Sequence, residues 1–245
     1  MTDCLRLKKS NCKNCYKCIR HCPVKSIRFS ANQAHIVEEE CILCGQCFVV
    51  CPQNAKEIRN DIEKAQVLIA QEPKVIASLA PSFVANYPGI NITSMEEALK
   101  KLGFYAVEET AVGAAIVSSR YESLIDEGSQ EIIISSCCYS VNLMIQKHFP
   151  EVIPFLAPVV SPMLAHGMSI KERYPDAKVV FIGPCISKKA EAEEAQGIID
   201  VVLTFEELLA LLDSRNIKID ECEESDTKHG SFYGRLFARS GGVTE

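Results

Sequence analysis

Cys12-Lys13-Asn14-Cys15-Tyr16-Lys17-Cys18-Ile19-Arg20-His21-Cys22-Pro23 and Cys41-Ile42-Leu43-Cys44-Gly45-Gln46-Cys47-Phe48-Val49-Val50-Cys51-Pro52 are one pattern written twice, 29 residues apart. In each run three thiols lie on one tight loop. The fourth follows after three more residues, on a helical turn that carries it away. The proline behind it keeps that turn from closing back on its own loop. Nine of the thirteen cysteines precede residue 52, and only Cys137, Cys138, Cys185 and Cys222 follow. Charge changes at the same place. Residues 1–60 hold ten Lys/Arg against five Asp/Glu, and 61–245 hold sixteen against twenty-seven, so +5 and −11 make up the net −6. These shifts predict two domains, 1–61 and 62–245.

Secreted disulfide frameworks are short and even in cysteine; this chain has 245 residues and an odd count. Its start, Met1-Thr2-Asp3-Cys4, has no apolar signal region. The uncharged stretch from Val152 to Ser169 contains three prolines and falls short of the roughly 20 residues a spanning helix needs. The reading is a cytoplasmic chain, without membrane insertion, whose reduced cysteines bind metal.

The run C-x2-C-x2-C-x3-C-P, given twice, is the ligand pattern of a bacterial two-cluster ferredoxin. It predicts an α+β ferredoxin-like dicluster domain holding two 4Fe-4S clusters. Cys12, Cys15, Cys18 and Cys51 would hold one cluster, and Cys41, Cys44, Cys47 and Cys22 the other. A unit this small needs the clusters as its core. Ser26–Phe29 and Ala34–Glu38 read as a hairpin around Ala31-Asn32. The alternative is zinc, which takes four ligands in two pairs and has no need of a triple followed by Cys-Pro. An oxidised cluster with its four thiolates carries about two negative charges. Two clusters bring the basic domain near neutrality, so its charge does not imply a nucleic-acid partner.

From residue 73 short apolar runs alternate with helical segments, the pattern of an α/β domain with a mainly parallel sheet. Strands are expected at Lys74–Leu79, Tyr105–Glu108, Glu131–Ser135, Lys178–Ile182 and Asp200–Leu203. Helices are expected from a Ser94-x-x-Glu97 capping box to Gly103, over Ala111–Asp126 up to Gly128, and over Val141–His148. Others are expected over Pro162–Arg173 and over Phe205–Leu212 behind Thr204-x-x-Glu207. Ala80-Pro81-Ser82, Cys137-Cys138 and Pro184-Cys185 each follow a strand candidate. Carboxyl ends of strands form the ligand crevice of open α/β sheets. Buried, inert thiols are the alternative for these three cysteines.

Ile134-Ser135-Ser136-Cys137-Cys138 resembles the Thr-Ser-Cys-Cys-Pro signature of iron-only (FeFe) hydrogenases. Gly183-Pro184-Cys185-Ile186-Ser187-Lys188-Lys189-Ala190-Glu191 resembles their Met-Pro-Cys-x-x-Lys-x-x-Glu motif. Ser161-Pro162, Ala80-Pro81-Ser82 and Gly241-Gly242-Val243 match further segments in the family's order. The resemblance implies an H-cluster in the full-length protein, a 4Fe-4S cubane joined to a di-iron unit with CO and cyanide ligands. Cys138 and Cys185 would be two of the four cubane ligands, and Cys137 a proton relay. Lys188 would contact a cyanide ligand, and Pro81 and Ser82 would pack around the di-iron unit. Hydrogenase maturation proteins and a ferredoxin or similar electron donor would be the partners.

The chain also departs from the family. Its third cysteine signature, expected after Gly241-Gly242-Val243, is missing, which reads as a chain cut before that motif. The stretch Ile116–Arg120 lacks the carboxylates of a proton path. Tyr139, Gly183 and Met163-Leu164 replace the usual Pro, Met and Gln residues around the cofactor. These changes resemble the divergent sensory branch, whose members are joined to PAS or kinase-type signalling modules. Three readings stay open: a hydrogenase, a hydrogen or redox sensor, and an electron-transfer or cluster-carrying protein with no di-iron site. Cys4 and Cys222 read as ordinary thiols, and His21 and His166 as packed or exposed side chains. Glu38-Glu39-Glu40 reads as a solvated edge suited to a redox partner, and Lys189 with Glu191, Glu193 and Glu194 as helix surface.

Overall fold

A computed structural model of the chain describes residues 4–8, 11–128, 130–221 and 232–237. It divides into two compact units. Unit 1 is Met1–Arg59, Ile132–Ala157 and Cys185–Glu191; unit 2 is Asn60–Glu131, Pro158–Pro184 and Ala192–Glu245. A single cut near residue 61 thus does not describe these units, because two later segments cluster with the first. The architecture is a ferredoxin-like dicluster region followed by an α/β domain.

In unit 1, β1 (Leu5–Leu7) pairs antiparallel with β4 (Lys56–Ile58), Leu7 opposite Lys56. The expected hairpin forms from β2 (Ile27–Ser30) and β3 (Gln33–Ile36). Its turn residues Ala31 and Asn32 have φ of 47° and 58°, the signs that a tight two-residue hairpin turn requires. Helices α1 (Lys17–His21) and α2 (Gln46–Val49) each follow a triple of cysteines by overlapping its third member.

The sequence repeat is also a backbone repeat. Positive φ occurs at Asn14, Tyr16 and Lys25, and again 29 residues on at Leu43, Gly45 and Asn54. Left-handed backbone is costly for a side chain such as Tyr16 or Leu43 and persists where the surroundings enforce it. Here it coils each loop tightly enough to turn three thiols to one side. Cys18, Cys22 and Cys47 pack with Ile27 and Ala34 as a small core, so thiols form much of the interior. A second cluster joins Cys4 and Ile42 to Tyr139, Leu143 and Ala190. It seats α7 (Tyr139–His148) within this unit.

Unit 2 holds a four-stranded parallel sheet in the order β6-β5-β7-β8, from Ala106–Glu109, Val75–Leu79, Lys178–Ile182 and Val201–Leu203. All five residues of β5 are buried, as expected of a central strand covered on both faces. Its flanking helices are α3 (Ile62–Gln71), α4 (Phe83–Asn86), α5 (Ile92–Leu102), α6 (Ala111–Glu127), α8 (Pro162–Arg173), α10 (Phe205–Ser214) and α11 (Phe232–Leu236). α6 and α8 cross closely because Gly113 has no side chain: a Cβ there would lie 2.1 Å from the Pro162 carbonyl oxygen. α10 opens with the expected capping box between Thr204 and Glu207. Among the described residues, no helix is long and apolar enough to cross a membrane.

Three local expectations change. Glu131–Ser135 is not a sheet strand. Ile134 makes one parallel bridge to Leu156, with N–H···O bonds from Ile134 to Phe155 and from Ala157 to Ile134. Its short apolar run is taken up inside unit 1. The α5 cap is Asn91, whose side chain accepts from the Ser94 amide at 2.8 Å. Starting the helix there brings Ile92 into the core, where it is 2% exposed. Lys189 and Glu191 are buried, at 1% and 5% exposure, on α9 (Ser187–Glu194). Charge along a helix is thus no proof of a wet face.

Candidate functional site

Two cavities in unit 1 divide eight cysteines between them. Cys12, Cys15, Cys18 and Cys51 line the first, together with Leu7, Tyr16, Phe29, Ala34 and Lys56. Cys22, Cys41, Cys44 and Cys47 line the second, with Pro23, Ile27, Ile36, Ile42 and Gly45. In both, three thiols come from one loop and the fourth from the other half of the repeat.

Backbone amides are aimed at the sulfurs. Ser26 N–H donates to Cys22 Sγ and Ala55 N–H to Cys51 Sγ, each at 3.3 Å. These are the same bond in the two halves, four residues after the fourth cysteine. Leu43 N–H donates to Cys41 Sγ at 3.4 Å, and the Ser26 hydroxyl also meets Cys22 Sγ. Burial pushes the Cys18 and Cys41 thiols up and the Cys47 thiol to about 12. Such sulfurs keep their protons until a metal replaces them. Among the described residues, no three His, Cys, Asp or Glu groups converge closely enough for a single metal ion. Each set surrounds a volume instead. Four thiols, apolar walls and N–H donors to sulfur fit a 4Fe-4S cluster.

Lys147 and His148, at the carboxyl end of α7, brace the second loop. Lys147 Nζ donates to the carbonyls of Cys41 at 2.7 Å and Glu38 at 3.0 Å, and His148 Nε2 lies 2.8 Å from that of Glu40. The acidic run is therefore held by its backbone, and Glu40 also pairs with Arg28. His21 Nδ1 bonds the Lys17 carbonyl at 2.8 Å.

Cys137, Cys138, Cys185 and Lys188 also belong to unit 1. Cys138 is the N-cap residue of α7. Lys188 Nζ donates to the Cys137 carbonyl at 3.2 Å and pairs with Glu191. Cys138 and Cys185 are exposed and Cys137 half-buried. Desolvation pushes the Cys185 thiol up; Lys188 draws it down, and Cys138 and Glu191 push it up again. The two thiols are therefore electrostatic neighbours. A Cβ on Gly45 would touch Ile186 Cδ1 at 3.5 Å, so the second cysteine loop lies against the residue beside Cys185.

Pro81 and Ser82 stand in unit 2, at the carboxyl end of β5. β5 adjoins β7, and the Ala80 N–H donates to the Ile182 carbonyl at 2.8 Å. Strand order reverses at this pair, which is where open sheets of this kind bind ligands. His166 is wholly buried, with Nδ1 2.8 Å from Ser78 Oγ and Nε2 3.1 Å from Glu108. It is a packed and paired histidine. Cys222 and Gly241-Gly242-Val243 lie outside the described residues. Lys56, Lys147 and Ser26 were not evident in the sequence as site residues, since nothing in their local pattern marks them.

Residues 65–245 match the family model described as iron only hydrogenase large subunit, C-terminal domain, and residues 4–52 match the 4Fe-4S dicluster domain. The chain is 27% identical to the NADP-reducing hydrogenase subunit HndD of Solidesulfovibrio fructosivorans, over 88% of this chain and 43% of that one. It is 30% identical to iron hydrogenase 1 of Clostridium pasteurianum, over 78% and 37%. The cytosolic Fe-S cluster assembly factor NAR1 of Eremothecium gossypii is 25% identical, over 77% and 45%. The chain thus spans less than half the length of these relatives. A FeFe-hydrogenase HydA1 variant from Chlamydomonas reinhardtii shares the fold, with a TM-score of 0.57 and 23% identity over 76% of this chain and 56% of that one.

Proposed function

This chain belongs to the iron-only hydrogenase family, and we propose that it passes electrons through two 4Fe-4S clusters to an H-cluster-type site in the full-length protein. The carrying observation is the paired cavities of unit 1, the second lined by Gly45, whose backbone lies close to Ile186 beside Cys185. Cys12, Cys15, Cys18 and Cys51 hold one cluster, and Cys22, Cys41, Cys44 and Cys47 the other. The clusters supply one-electron storage. The loops supply amide donors to sulfur, which favour the reduced state, and apolar walls, which limit water.

At the second centre Cys138 and Cys185 are two thiolate donors, and a cubane joined to a di-iron unit would supply proton reduction and dihydrogen cleavage. Cys137 carries the proton at its Sγ. Lys188, fixed by the Cys137 carbonyl and Glu191, neutralises negative charge beside the thiolates. Pro81 and Ser82 line the carboxyl end of β5. A ferredoxin-type one-electron carrier in the cytoplasm is the proposed donor, and hydrogen or redox sensing is the variant of this reading in which turnover is slow.

The similarity to NAR1 supports a second reading, an iron–sulfur protein without a di-iron site. The two separate on anaerobic co-expression of the full-length chain with hydrogenase maturation proteins, followed by infrared spectroscopy and a hydrogen-evolution assay. CO and cyanide bands with hydrogen evolution are expected. Bands with negligible turnover would favour sensing. Iron–sulfur absorbance without such bands would leave the second reading.

A further inference from the structure

We infer that Lys56 is the charge that makes the two clusters of the dicluster unit inequivalent, raising the reduction potential of the one held by Cys12, Cys15, Cys18 and Cys51. The inference rests on the cluster reading given above. Lys56 is the second residue of the Ala55-Lys56 pair that follows Cys51, and Ala55 N–H already donates to Cys51 Sγ. In the other half of the repeat the corresponding pair is Ser26-Ile27 after Cys22. Ile27 is 5% exposed and lines the second cavity; Lys56 is 3% exposed and lines the first. A core position that is apolar in one half is therefore cationic in the other.

Lysine is almost never so deeply buried without a compensating anion. Among the described residues Lys56 pairs with no carboxylate. Its neighbour Glu57 pairs with Lys8, and the ammonium of Lys56 has a long contact to the Ala34 carbonyl at 3.5 Å. The anion that fits is the cluster itself, about −2 when oxidised with four thiolates and about −3 after accepting one electron. A cation at the wall stabilises the more negative state more, so reduction becomes easier. The electron enters from a one-electron donor and no bond changes.

The test is a mediator-controlled redox titration of the reconstituted holoprotein, followed by electron paramagnetic resonance, in wild type, K56M, K56I and K56R. K56I installs the residue found in the other half of the repeat. We expect K56M and K56I to lower the reduction equilibrium of the cluster held by Cys12, Cys15, Cys18 and Cys51 about tenfold, ~59 mV for one electron, and to bring the two potentials together. K56R should keep both near wild type. Unchanged potentials in K56M and K56I, at full iron content, would overturn the role of Lys56 alone. A wild type that binds zinc, or far fewer than about eight irons, would overturn the cluster reading instead. Should K56M and K56I shed iron, K56Q against K56R makes the same comparison: a lowered potential in K56Q alone supports the role of Lys56, and equal potentials overturn it.

Discussion

Glu108, in β6, accepts hydrogen bonds from His166 Nε2 at 3.1 Å and from Arg173 at 2.9 and 2.6 Å. Burial pushes its carboxyl up, but the bonds from His166 and Arg173 outweigh that and bring it to about 2, from 4.5. A depressed carboxylate stabilises the fold fully above its unfolded value and loses that contribution as pH falls through its folded value. The window is therefore pH 4.5 down to about 2. The shift corresponds to at most about 3 kcal/mol, and Glu108→Gln should lower stability at pH 7 by about 1–3 kcal/mol. Urea denaturation at pH 7, 4 and 3 checks this: the gap between wild type and variant should shrink on acidification, and a constant gap would refute the assignment. None of this network could be read from the sequence. Ser78, Glu108 and His166 are far apart in the chain, and only the packing of α8 over β5 and β6 joins them. The eight repeated cysteines lie at the other extreme, because a few residues of spacing fix where a thiol can point.

At the scale of elements, the crossing of α6 and α8 depends on Gly113. An added Cβ would also lie 2.7 Å from His166 Cβ. In an isolated helix, glycine to alanine stabilises by roughly 1 kcal/mol. Here we expect Gly113→Ala to destabilise by about 1–3 kcal/mol, because the helices must separate. The sign is the test, read from the urea midpoint, and a raised midpoint would mean that α8 can move aside. Helix limits with strong local chemistry were legible: Pro162 at the start of α8, the Thr204 box, and glycine after α5 and α6. Ile132–Ile134 was not. A short apolar run fits a sheet strand, a buried loop or a bridge equally well, and its partner decides which. The cap of α5 was expected at Ser94 and falls at Asn91, a start that takes Ile92 into the core.

For the whole molecule, the cores differ in kind. Unit 2 is closed by aliphatic and aromatic side chains around its sheet, including Ile76, Leu79, Phe83, Met163 and Leu208. Unit 1 relies on Cys18, Cys22 and Cys47 among a few aliphatics, and a domain that small gains its stability from what its thiols bind. Removing iron with an anaerobic chelator should therefore collapse unit 1, seen as loss of hydrogen-exchange protection over residues 11–59, while the strands of unit 2 stay protected. Equal loss in both units would contradict this division of labour. The cysteine repeat, its hairpin, four of the parallel strands and the family motifs were legible without the fold, because each is written in local spacing. It took packing to show that residues 132–157 and 185–191 join the cysteine-rich unit, that Ile134 stays out of the sheet, and that Lys56 is buried at a cavity wall while Ile27 fills the matching place. Burial is a property of neighbours brought from elsewhere in the chain, and no local pattern carries it.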